Sequence, residues 1–190
     1  MDLLMGVFTA FGLSASAGLN AYIPLLIVGV VAHYTDWITL SNPWDLLANP
    51  WVLIVLGILV LIEMLADKIP AVNHINDAVQ TFIRPAAGAV AFAASANVVT
   101  DIHPVLAMVC GLLVAGSVHA VKSAIVRPIV TATTGGAGNV PVSIAEDIFA
   151  TVMSILAILV PILVAVILIL MVTLFLRWRQ RRREKADMNL

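Results

Sequence analysis

The chain has 190 residues, of which 62% are hydrophobic and only 11% are charged, and its formal net charge is −1. A soluble domain is typically about half apolar and about a quarter charged. This composition therefore excludes an ordinary soluble protein and predicts an integral membrane protein. The apolar stretches lack the two-residue alternation of a transmembrane β-barrel, which leaves helices as the spanning structure. We expect an all-α integral membrane protein, a bundle of about five to six transmembrane helices with broken or re-entrant segments and a short interfacial amphipathic helix.

The first apolar segment, residues 3–33, is too long for one straight membrane crossing. As a single α-helix it would extend roughly 45 Å, whereas the hydrocarbon core is about 30 Å thick. Its middle is rich in small residues and holds Gly18, Asn20 and Pro24, which favour a break. Two structures fit this pattern. One is a tilted, kinked helix packed closely on a neighbour, and the other is a discontinuous helix whose exposed backbone groups line a site.

The middle of the chain alternates between apolar spans and polar connections. Residues 34–50 contain acids and tryptophans but no Lys or Arg, which suits the non-cytoplasmic side of a membrane. The predicted elements that follow are a span at 51–67, an amphipathic interfacial helix at 71–83, a short span at 86–99 opened by Arg84-Pro85, and a span at 105–121.

The last apolar segment, residues 143–176, contains Pro161. It forms either one long kinked helix or a hairpin of two short legs, and Ser143 with Glu146 resembles a capping box at its start. Residues 177–190 hold six of the ten Lys and Arg residues, which predicts a basic cytoplasmic tail on a transmembrane domain 1–176. We expect a multi-pass protein of the cell inner membrane. A cytoplasmic tail requires an even number of crossings after residue 142, so something in this part must be re-entrant or discontinuous.

Ionisable residues concentrate at the ends of the predicted spans. Glu63 and Asp67 are four residues apart and share one helix face, where two acids require a cation, either Lys122, Arg127 or a bound ion. These residues could form ion pairs that close the cytoplasmic side, or they could form a pathway for an ion or a proton. The candidate pathway residues are Glu63, Asp67, Asn20, Glu146, Asp147, Lys122 and Arg127.

Sequence motifs for catalysis or cofactor binding are missing. The chain has no zinc-protease helix motif and no phosphate-binding Gly-x-x-x-x-Gly-Lys loop, and Cys110 is its only cysteine. We therefore predict no catalytic residues, no metal, no cofactor and no nucleic-acid partner. The expected partners are membrane lipids, a small ion or solute, and further copies of the chain, because about five helices can barely enclose a path alone.

Two short motifs suggest a weak internal repeat within residues 1–176. Arg84-Pro85 and Arg127-Pro128 lie 43 residues apart, and each pair follows a helix end that bears an acid or a lysine. Internal repeats are common in small transporters and place a site at the repeat interface.

The combined motifs resemble one known family. They are Ser14-Ala15-Ser16-Ala17-Gly18-Leu19-Asn20-Ala21, then Glu63 with Ala66-Asp67-Lys68-Ile69-Pro70, then Arg84-Pro85-Ala86-Ala87-Gly88-Ala89, and the late Ser143 with Glu146-Asp147. Together they resemble the small bacterial and plastid membrane proteins catalogued as the domain of unknown function DUF4126. The resemblance covers roughly residues 3–170 and implies a membrane bundle, but it carries no activity.

Two functions are compatible with these features. The first is a small transporter or channel for an ion or solute, in which acids at helix ends coordinate the ion or relay protons. The alternative is a non-transporting membrane scaffold or lipid-interacting protein, which would use the amphipathic helix and the basic tail.

Overall fold

The computed structural model describes residues 2–68, 70–96 and 102–161, together with separate helical positions between 163 and 179. Most of the basic tail lies outside the described residues. Within them the protein is all-helical, as the composition predicts. The α-helices are α1 (Asp2–Ala17), α2 (Tyr22–Tyr34), α3 (Pro50–Ala66), α4 (Pro70–Ala96), α5 (Pro104–Val121), α6 (Arg127–Thr134) and α7 (Asn139–Leu159), with a 3₁₀-helix at Trp44–Ala48 and a π-helix at Lys122–Val126.

The first apolar segment is discontinuous, and its two halves form a hairpin. Helix α1 ends at Ala17 and α2 begins at Tyr22. Near the start of α1, Met5 lines the same cavity as Trp37, which follows α2, so the outer ends of both helices lie together. We call residues 18–21 the hairpin tip. Of the two structures that the sequence allows, the broken helix is the one present.

Helix α4 joins two elements that the sequence predicts to be separate. The amphipathic stretch 71–83 and the small-residue stretch that begins at 86 form one helix of 27 residues with Pro85 inside it. The prediction of a separate short interfacial helix, with a new helix opened by Arg84-Pro85, is therefore wrong. Proline removes one helical hydrogen bond, and the Pro85 ring lies beside Gly116 of α5, within the contact between α4 and α5.

Helices α5 and α6 form one continuous rod through the π-helix, and α7 packs mainly against α1 and α2, with a smaller contact to α6. The rod ends at Gly135, whose φ of 61° is the left-handed conformation that glycine adopts readily. Helix α7 then begins at Asn139, four residues earlier than predicted, so Ser143 lies inside the helix and does not cap it. The helix ends at Leu159, just before Pro161.

The core is built from small residues where α1, α4 and α5 meet. An added Cβ at Gly18 would lie 2.6 Å from the carbonyl oxygen of Ala115, and one at Gly111 would collide with the backbone of Gly88. The Ser14 hydroxyl donates to the Gly111 carbonyl at 2.7 Å. Such close backbone approach is typical of helix packing inside membranes.

The outer surface is strongly apolar. On α3, for example, Ile54, Ile58 and Leu61 are each more than half exposed. Two helices, Pro104–Thr134 and α7, are long and apolar enough to cross a membrane by length and composition. In their most apolar windows only 22% and 33% of residues are buried, whereas the core helix of a soluble protein is mostly buried.

Candidate functional site

Four carboxylates and four cations meet at the end of the bundle that holds the hairpin tip. The carboxylates belong to α3, to the residue after it and to α7, and the cations come from four points between residues 68 and 127. We call this group the charge cluster, and its members are Glu63, Asp67, Glu146, Asp147, Lys68, Arg84, Lys122 and Arg127. Its formal charge is zero, which is a condition for keeping so many ions inside a protein.

Glu63 connects α3 to α4 and to the hairpin tip. Its side chain is 1% exposed, and its Oε1 accepts hydrogen bonds from Arg84 Nε at 3.1 Å and Nη2 at 3.0 Å. Its Oε2 accepts from the backbone N–H of Ala21 at 3.0 Å. Arg84 is fully buried and also contacts Nδ1 of His119 at 3.1 Å. A carboxylate at the end of an apolar helix therefore holds two other elements in place.

Asp67 is shared by three cations. Its Oδ2 lies 3.4 Å from Arg84, 3.4 Å from Lys122 and 3.2 Å from Arg127. Its Oδ1 accepts a hydrogen bond from Asn76 Nδ2 at 2.7 Å. Since Asp67 and these three cations are each at most 6% exposed, solvent screens their attractions little.

The π-helix brings Lys122 and Arg127 to the same carboxylates. In a π-helix each N–H bonds to the carbonyl five residues earlier, and here the N–H of Arg127 donates to the carbonyl of Lys122. The two side chains therefore stack on one face. Both contact Asp67, and both contact Glu146 of α7, at 2.8 Å from Lys122 and 3.3 Å from Arg127.

Asp147 connects α7 to the hairpin tip and to Lys68. Asp147 accepts from Asn20 Nδ2 at 3.0 Å and pairs with Lys68 at 3.3 Å. The Oδ1 of Asn20 accepts from the N–H groups of Tyr22 and Ile23, both at 3.2 Å, and in this way caps the start of α2.

The backbone at the helix break is satisfied by cluster side chains. Lys122 Nζ donates to the carbonyl of Leu19 at 3.1 Å, and Glu63 accepts the N–H of Ala21. Unpaired backbone groups inside a protein are costly, so the break requires these ionic partners. The charge cluster and the broken helix therefore form one structural unit.

Some buried polar atoms near the cluster lack partners in the part of the chain that the structure describes. They include Nε and Nη1 of Arg127 and the hydroxyl of Ser143. A buried guanidinium with free N–H groups is costly, so this side of the cluster is where an ordered acceptor, such as water, fits best.

The described residues form an end cavity and a lateral groove at the surface. The end cavity, about 380 Å³, lies at the opposite end of the bundle and is lined by Met5, Thr9, Trp37 and Ser95 among others. The lateral groove, about 370 Å³, lies between α2, α3 and α7 and reaches Asp147. Neither cavity includes Glu63 or Asn20. In this conformation the cluster is closed.

A family model described as "Domain of unknown function (DUF4126)" matches residues 7–181. The chain belongs to this family. The resemblance based on the sequence motifs is thereby confirmed. No curated protein and no solved structure matches the chain. The DUF4126 description states no activity, so a function for this member has to be argued from its own site.

All seven candidate residues predicted from this DUF4126 sequence lie together. Asn20, Glu63, Asp67, Lys122, Arg127, Glu146 and Asp147 are all in the charge cluster or bonded directly to it. The alternative of structural ion pairs and the alternative of a pathway both remain compatible with this closed arrangement. Lys122 and Arg127 pair with Asp67, as expected, whereas the cation beside Glu63 is Arg84, which also contacts Asp67.

The candidate residues chosen from the sequence do not include Arg84, His119 or Lys68. Arg84 precedes a proline, so the sequence pattern indicates a helix boundary there, although the helix continues. A signal was present, because Asp77, Gln80 and Arg84 recur at helical spacing and extend the polar face of the amphipathic stretch. Among the described residues no group of three His, Cys, Asp or Glu side chains is placed to hold a metal ion.

Proposed function

We propose that the chain is a multi-pass protein of the cell inner membrane. The exposed apolar faces of α3 and α5 support this, since apolar patches of this extent are unusual on soluble monomers. The cluster end faces the cytoplasm in this proposal. Lys68, Arg84, Lys122 and Arg127 lie there, whereas the connection 35–49 at the other end has no Lys or Arg, which is the distribution that the positive-inside rule prefers.

We further propose that the protein is a small transporter or channel for an ion or small solute. The observation that carries this proposal is that a buried ion-pair network holds a broken hairpin, while a cavity is open at the opposite end. Broken helices and buried ionisable residues mark transport sites in many membrane proteins. The conformation described is then open towards the non-cytoplasmic side and closed at the cytoplasmic end.

In this proposal the cytoplasmic end of the path opens when Asp67 loses its negative charge. A proton or a bound cation that neutralises Asp67 removes a partner from Arg84, Lys122 and Arg127 at once. Lys122 also holds Leu19, so a shift of Lys122 frees the hairpin tip. The path then runs along α1 from Thr9 to Asn20, roughly 16 Å at helical rise. Further copies of the chain complete the wall of this path, because the helices of one chain are too few to enclose it.

Ion or solute flux into proteoliposomes tests this function. We expect Asp67→Asn and Glu63→Gln to reduce flux at least about tenfold, because each removes a carboxylate that coordinates the ion or takes up the proton in this proposal. Asp36→Asn is the matched control, since Asp36 is exposed at the opposite end and its loss should leave flux unchanged. If all three variants fold and transport like the wild type across a panel of ions and small solutes, the transport proposal is wrong.

The second candidate is a lipid-interacting membrane protein. The lateral groove favours it, because eight of its ten lining residues are apolar and it opens towards the proposed lipid phase. The two candidates are compatible, and the binding experiment below tests the second without measuring transport.

A further inference from the structure

We propose that the lateral groove binds one acyl chain of a membrane phospholipid and that Lys68 holds the phosphate of its headgroup. This inference rests on the membrane placement proposed above but not on the transport activity. It assigns a ligand class to the apolar surface between α2, α3 and α7, which adjoins the charge cluster at Asp147 and its partner Lys68.

The groove has the shape and chemistry of an acyl-chain site. It is lined by Ile23, Leu26, Val60, Met64 and Val152 among others, and among the described residues that line it the polar ones are Asp147 and Thr151. Its volume of about 370 Å³ is in the range of ligand sites. From Ile144 to Val152 it follows α7 for roughly 12 Å. An acyl chain that enters at the cluster end would therefore run along the helices towards the bilayer centre.

The charged end of the groove suits an anionic headgroup. Lys68 Nζ donates to the carbonyl of Met64 at 2.8 Å and pairs with Asp147 at 3.3 Å, and both partners line the groove. The Lys68 side chain is 26% exposed, whereas those of Arg84, Lys122 and Arg127 are at most 6% exposed. An ammonium has three N–H groups, and two of those of Lys68 have partners among the described residues, so the third can bind a phosphate oxygen.

Asp147 does not prevent phosphate binding, because it has a second partner. Asn20 Nδ2 holds its Oδ1 at 3.0 Å, so this carboxylate stays bonded when the Lys68 ammonium moves towards a phosphate. The position of Lys68 along the bundle also suits a lipid headgroup. Lys68 lies at the end that the positive-inside rule places in the cytoplasmic headgroup layer, and the apolar part of the groove extends from there towards the bilayer centre.

Native mass spectrometry of the purified full chain tests this site, with phosphatidylglycerol titrated into the delipidated protein. We expect one tightly bound lipid per chain. Lys68→Met should weaken binding about tenfold or more, because it removes a charge-assisted hydrogen bond. Val152→Trp should weaken it similarly, because the indole fills the groove. Val55→Trp is the matched control, since Val55 is 54% exposed on α3 but does not line the groove, and it should bind like the wild type.

Three results would overturn the proposal. Equal binding by Val152→Trp and Val55→Trp would show that the lipid lies elsewhere. Equal binding of diacylglycerol and phosphatidylglycerol would show that Lys68 holds no phosphate. A dimer that Val152→Trp dissociates, with no lipid retained by the wild type, would show that a second copy covers the groove. Loss of flux in Asp67→Asn with lipid still bound would leave this site intact, so the two proposals can fail separately.

Discussion

The backbone N–H of Arg127 donates to the carbonyl of Lys122, five residues earlier, and this π-helical bond stacks the two side chains on one face. Both cations then contact Asp67 and Glu146, at distances between 2.8 and 3.4 Å. In an α-helix, residues five apart point in clearly different directions, whereas residues four apart share a face. A local departure from regular helix geometry therefore assembles the centre of the charge cluster.

The first prediction concerns the length of this π-helix. Deletion of Ala124, which is exposed, leaves the two cations four residues apart, so an α-helix would still place both against Asp67. We expect a change in unfolding free energy within about 1 kcal/mol. Insertion of one alanine after Ala124 turns Arg127 away by about a hundred degrees and should cost about 3 kcal/mol or more, because charges lose buried partners. Thermal unfolding in detergent measures both. Equal damage from the deletion and the insertion would contradict this account.

The second prediction concerns the Glu63–Arg84 pair. Arg84→Met leaves the Glu63 carboxylate with the Ala21 N–H as its main partner, and we expect a loss of about 3–5 kcal/mol. Glu63→Gln added to Arg84→Met should recover part of this loss, since the buried charge is gone. A double-mutant cycle in denaturant measures the coupling, expected at about 0.5–3 kcal/mol. As a control, Lys68→Met breaks a partly exposed pair and should cost less than about 1 kcal/mol.

The third prediction concerns Asn20, which caps α2 and holds Asp147. Asn20→Ala removes both interactions and should cost about 1–2 kcal/mol. Asn20→Asp keeps the cap for Tyr22 and Ile23 but places a second carboxylate against Asp147, where like charges repel. Protonation relieves this repulsion. The deficit of Asn20→Asp relative to the wild type should therefore be smaller at about pH 5 than at about pH 8, whereas that of Asn20→Ala should not depend on pH.

The fourth prediction compares one substitution at two glycines. Gly111→Ala adds a methyl group that would lie 2.6 Å from Cβ of Phe92 and would also collide with the backbone of α4. We expect it to cost about 1–3 kcal/mol. Gly57→Ala adds the same group on α3 where no atom lies within 4 Å, and it should be neutral or stabilise by up to about 1 kcal/mol. Similar melting temperatures for the two variants would show that α4 and α5 leave room for a methyl group at Gly111, which would contradict their close approach.

Several features of the site follow from local chemistry. The spacing of Glu63 and Asp67 places both acids on one helix face, and acids in an apolar segment require cations, which limits the choice to a few basic residues. Gly18 and Asn20 indicate a helix break for similarly local reasons. For this reason the seven candidate residues could be chosen without coordinates.

Other features depend on contacts between distant parts of the chain. Whether residues 3–33 kink or reverse depends on Glu63 and Lys122, which satisfy the backbone groups at the hairpin tip. Whether α4 continues through Pro85 depends on its packing against α5 and on the burial of Arg84 by Glu63. The contacting residues are distant in sequence from the hairpin tip and from Pro85, so no local sequence pattern predicts the helix break or the continuation of α4.

The amino-acid sequence by itself determined the helical class, the apolar surface and the need for buried charges to be paired, because these depend on composition and on spacing within single helices. Only the tertiary structure decided which charges pair. A buried ion is stable only beside partners that folding brings to it, and for Asp67 these partners are three cations located 17, 55 and 60 residues further along the chain.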